Sequence, residues 1–137
     1  MYDEATVRNL LIESCHSSKA AERYFVARLS DPELLALLVR IASDKEDYGG
    51  DAPMQAAYFA SQFSGVLLAP HEDAFLELLP RADGYGGHVA AALARMRSVQ
   101  GKQAILTALG DGTRFDAWFF RKLLAEYEQS EMLLRQR

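Results

Sequence analysis

The sequence predicts an all-α domain, and three observations carry that prediction. Apolar residues recur at helical spacing through most of the chain. Helix start and stop signals, Asp or Ser beside Pro and paired glycines, punctuate it at short intervals. No stretch shows the apolar–polar alternation of a half-buried strand. At 137 residues, 50% hydrophobic and 25% charged, the chain fits one globular domain over 1–137.

The elements follow in order. Val7, Leu10, Leu11, Ser14 and Cys15 share a helical stripe, as do Ala21, Tyr24, Phe25, Arg28 and Leu29. Ser17-Ser18 marks the break between these two N-terminal helices, which fill 1–30. Ser30-Asp31-Pro32-Glu33 reads as a capping box with Ser30 as the cap, opening a leucine-rich helix from Glu33 to about Ala42. An acidic loop leads to Tyr48-Gly49-Gly50, and Gly49, Gly50, Gly86 and Gly87 are expected to include residues at positive φ. Asp51 is expected to cap the next helix, with Pro53 in its first turn. Pro70 starts another helix, ended by Pro80 and Asp83-Gly84. Helices over Gly87–Arg97, Val99–Leu109 and Phe115 to about Leu134 complete the chain. Gly110-Asp111-Gly112 forms the turn before Thr113, which can cap with Asp116 three residues on.

From Ala52 to Pro70 the chain carries no formal charge. Ala56, Phe59, Ala60, Phe63, Val66 and Leu67 fall on one face of a helix drawn through it, and Met54, Tyr58, Ser61, Gln62 and Gly65 on the other. Such a helix is central. Its second face is either buried against neighbours or lines an inner surface, where Met and Tyr give contact area without a charge to desolvate.

Leu34-Leu35-Ala36-Leu37-Leu38-Val39-Arg40 aligns with Phe75-Leu76-Glu77-Leu78-Leu79-Pro80-Arg81. Each is followed by a polar loop ending Tyr-Gly-Gly, and the two tripeptides lie 37 residues apart, at Tyr48 and Tyr85. After them Ala52, Ala56 and Phe59 match Val89, Leu93 and Met96 in register. A degenerate third copy starts at Ala104. From Ser30 onward this resembles a short α-solenoid of HEAT-like repeats, with tandem antiparallel helix pairs over 31–137. An irregular helical bundle fits the same pattern. The resemblance is architectural, and it implies binding in preference to catalysis.

Charge is uneven. It is balanced over 1–30, −7 from Asp31 to Gly84 and +3 from Tyr85 onward, within a total of −4. The acids gather at Asp44, Glu46, Asp47 and Asp51 and again at Glu72, Asp73, Glu77 and Asp83, groups that stacked repeats would place on neighbouring rungs. They are solvated surface and helix-start acids, or a docking surface for a basic partner. With no basic stripe, nucleic acid is not an expected partner. No apolar run exceeds six residues, as at Leu34–Val39 and Val89–Ala94, and Val66-Leu67-Leu68-Ala69 is shorter still, so all are far too short for a membrane span. Met1-Tyr2-Asp3-Glu4 has no leader character, and a single cysteine fits a reducing compartment. A cytoplasmic location is expected.

Chemistry finds little footing. His16, His71 and His88 have no metal-ligand spacing, and the acidic loop read as an EF-hand from Asp44 places Gln55 where the bidentate acid belongs. Cys15 continues the stripe of Val7 and Leu11 and reads as a buried structural thiol, and no cofactor or metal is expected. On the C-terminal helix Phe119, Phe120, Leu123, Leu124 and Tyr127 share a face. Trp118 points the other way, between Arg121 and Lys122, either packed or exposed as an anchor for a partner.

The expected function is a non-catalytic protein-binding module. Its expected site is Asp44, Glu46, Asp47, Asp51, Met54, Tyr58, Gln62, Glu72, Asp73 and Trp118. Small acidic proteins of this shape often act as inhibitors or immunity-type proteins. The rivals are an enzyme or small-ligand binder walled by Tyr48, Tyr58, Tyr85 and His88, and a homo-oligomeric structural domain.

Overall fold

A computed structural model describes residues 2–47, 50–79, 86–110, 121–125 and 127. Among them every regular element is helical: α1 (Glu4–Cys15), α2 (Lys19–Val26), α3 (Pro32–Ala42), α4 (Asp51–Ala60), α5 (Gly65–Leu68), α6 (Glu72–Leu78), α7 (Gly86–Arg95) and α8 (Val99–Gly110). Residues 121–125 are helical too. Tyr48, Gly49, Pro80, Asp83, Gly84, Tyr85 and the 111–116 turn lie outside the described residues, as do Trp118, Phe119 and Phe120.

Local chemistry explains the element ends. Asp3 opens α1, its carboxylate accepting from the Thr6 amide at 3.2 Å and the Thr6 hydroxyl at 2.6 Å. Asp31, not Ser30, caps α3: Pro32 takes the first helical position, and the Asp31 carboxylate accepts from the Glu33 amide at 2.9 Å. The same carboxylate accepts a short hydrogen bond from the Tyr2 hydroxyl. Gly50, not Asp51, precedes α4, and no side chain caps that helix. Asp51 is the first residue of α4, one position too late to cap it, and its carboxylate faces His16 at the end of α1.

Gly50 has φ −77°, and Gly49 lies outside the described residues. Among the described non-glycine residues, positive angles occur at Ser17 (72°) and Arg97 (55°). Each ends a helix in a Schellman motif. The Ser18 amide donates to the Glu13 carbonyl and the Ser98 amide to the Leu93 carbonyl, both at 3.0 Å. Ser18 and Ser98 then open α2 and α8, their hydroxyls accepting from the Ala21 and Gly101 amides at 3.2 and 2.8 Å. The α1–α2 and α7–α8 corners are thus built alike.

Helix α4 is the hub, packed against α1, α3 and α7. Its Ala52, Pro53, Ala56, Ala57, Phe59 and Ala60 are buried, and Phe59 stacks on Phe25 of α2 at 4.6 Å between ring centroids. Leu34, Leu35, Leu38 and Ile41 of α3 close the core from one side, and Val89, Ala90, Ala92 and Leu93 of α7 from another. Farther along, α6 packs on α7 and α8, with Leu123 and Tyr127 buried.

The uncharged stretch is not one helix. It ends at Ala60, turns, and restarts at Ser64, so the single face drawn through it breaks after that point. Phe63 stays fully buried, Val66 is 85% exposed and Ser61 is buried. The restart is fixed by contact: a Cβ on Gly65 would lie 2.3 Å from the Arg95 carbonyl oxygen, so only glycine lets α5 pass the end of α7. Pro70 sits in a 3-10 turn (Ala69–His71), and α6 begins at Glu72.

Candidate functional site

The acidic loop after α3 is organised by a residue from elsewhere. Arg8, on α1, points its guanidinium at three carboxylates: Nη2 lies 2.6 Å from Asp44 Oδ2, Nη1 3.4 Å from Asp47 Oδ2, and Nε 3.7 Å from Glu4 Oε2. Asp44 also accepts from the Glu46 amide at 3.0 Å. That backbone bond, with Arg8 second in strength among the favourable contacts, holds the Asp44 carboxyl below the usual carboxylate range. Glu4 Oε1 lies 3.3 Å from Arg40 Nε, an ion pair without the alignment of a hydrogen bond. An open cleft of about 410 Å³ runs here between α1 and the end of α3, where Arg8, Arg40 and Lys45 alternate with Glu4, Asp44 and Glu46.

Of the loop acids, Glu46, Asp47 and Asp51 are exposed. Asp51 faces His16, with Oδ2 3.4 Å from Nε2. Burial, and then the nearby Asp51 carboxylate, push the Cys15 thiol up from its ordinary value. A thiol shifted that way is less ionised than a free one and makes a poor nucleophile. Cys15 is half-buried, more open than its stripe predicted.

Along α4 the residues that are not buried form one edge. Asp51 and Tyr58 are exposed, and Met54 is half-buried between them. Gln62, just past the helix end, continues the line half-buried. The spacing of three, four and four residues is that of a single helical ridge. Gln55, beside it, donates to the Ser14 hydroxyl at 3.1 Å and so ties α4 to α1. Tyr58 is 36% exposed and meets the His88 ring of α7 edge-on at 5.2 Å. Burial holds the His88 imidazole below its ordinary value, so it is neutral at pH 7.

Glu72 and Asp73 open α6, the first half-buried and the second exposed. Glu72 adds to the burial that pushes the Tyr127 hydroxyl up to about 12. That hydroxyl is buried with no hydrogen-bond partner among the described residues. The two acid groups have different supports: the α3–α4 loop is tied to α1 through Arg8, and α6 rests on α7 and α8. Trp118, Tyr48 and Tyr85 lie outside the described residues.

Sequence reasoning missed the Arg8 arrangement, although Glu4 and Arg8, four apart on one helix, carried a local signal for half of it. Its link to Asp44 and Asp47 spans 36 and 39 residues and has no local signature. Among the described residues no group of three or more His, Cys, Asp or Glu side chains is placed to hold a metal ion, and no helix is long and apolar enough to cross a membrane. Compared with family models, with curated proteins and with solved structures, the chain matches none.

Proposed function

We propose that this chain is a non-catalytic protein-binding module of HEAT-like helix pairs that engages a basic protein partner, in the manner of an inhibitor or immunity-type protein. One observation supports it above the others. The acidic loop and the open edge of α4 are continuous, with Glu46, Asp47 and Asp51 leading into Met54, Tyr58 and Gln62. Exposed carboxylates would steer a basic partner, and the neutral ridge would supply contact area once it arrives. The proposed site also takes in Glu72 and Asp73 of α6 and Trp118, the last outside the described residues.

The test is direct. Asp47→Asn/Asp51→Asn removes two exposed charges and leaves hydrogen-bonding groups of the same shape. Wild type and variant serve as bait in extract of the source cell, and association rates with the recovered protein are measured from low to physiological salt. Docking requires a slower variant and a rate that falls with salt. Equal capture and salt-independent rates reject it.

The rival is a small ligand, or a substrate, held in the α4–α7 seam. It draws on the Tyr58–His88 contact, a neutral imidazole beside a half-exposed phenol. Saturable thermal stabilisation by a metabolite, abolished by His88→Ala, would favour it over the docking reading.

A further inference from the structure

We draw no further inference here: the strongest candidate, the exposed valines Val66 of α5 and Val99 of α8 at the end of α7, carries nothing because nothing in the structure shows what covers them.

Discussion

At the scale of single residues, the helix ends decide more than the residues usually expected to decide them. Ser17 and Arg97 adopt left-handed angles that cost an L-residue about 1–2 kcal/mol, relieved by glycine at some entropic cost. Ser17→Gly and Arg97→Gly are each expected to raise stability by up to about 1 kcal/mol, read as a higher urea midpoint at unchanged slope. The carboxylates give a pH prediction. Asp3, Asp31 and Asp44 are all held below their ordinary value, chiefly by the Thr6 side chain, the Tyr2 hydroxyl and the Glu46 amide respectively. A carboxyl lowered in the fold stabilises it above the unfolded value, near 3.9, and that contribution is lost as pH falls through the folded values. Tyr2 works in the opposite sense: pushed up to about 12 by the Asp31 hydrogen bond, it contributes below pH 10 and its contribution is lost as pH rises towards 12. Urea midpoints of wild type and Asp31→Asn across pH 2–5 check the acid limb, and the variant's fall should be the shallower. Sequence reading placed the α3 cap one residue early because Ser30 and Asp31 are both good caps. Only Pro32 in the first helical position favours Asp31.

At the scale of elements, periodicity made the helices legible and hid where one of them stops. Val7, Leu11, Ala21, Phe25, Leu34, Leu35 and Leu38 on the helical stripes are core, as their spacing predicts. The uncharged stretch failed because a helical wheel assumes an unbroken helix. Phe63 and Val66 share a face on the wheel, and the turn after Ala60 separates them. Phe63→Ala should therefore cost about 3–5 kcal/mol, whereas Val66→Ala should stay within about 0.5 kcal/mol. Gly65→Ala should cost about 1–3 kcal/mol, since the obstacle is the Arg95 backbone and cannot swing aside. Denaturant unfolding of the three variants measures all of this, and a costly Val66→Ala would restore the continuous helix. Met96, matched with Phe59 in the repeat alignment, is only half-buried. It follows the last residue of α7, where the wheel no longer applies.

At the scale of the whole molecule, periodicity and the helix start and stop signals made the helical class legible, but not the pairing of distant charges. A local count finds the acids of 44–51 but not the Arg8 guanidinium and the His16 ring that the fold sets against them. Of the expected site, Glu46, Asp47, Asp51, Tyr58 and, on α6, Asp73 are exposed, with Met54 half-buried between Asp51 and Tyr58. A docking surface so built uses charge for approach and the ridge for retention, and the two are separable kinetically. The decisive measurement is association and dissociation of the captured partner with wild type, Asp47→Asn/Asp51→Asn and Tyr58→Ala at low and physiological salt. Docking through this edge requires the charge variant to slow association at low salt, with the difference closing as salt rises. It also requires Tyr58→Ala to speed dissociation at either salt. Unchanged rates in both variants would show that the partner binds elsewhere and that the acidic loop is no more than solvated surface.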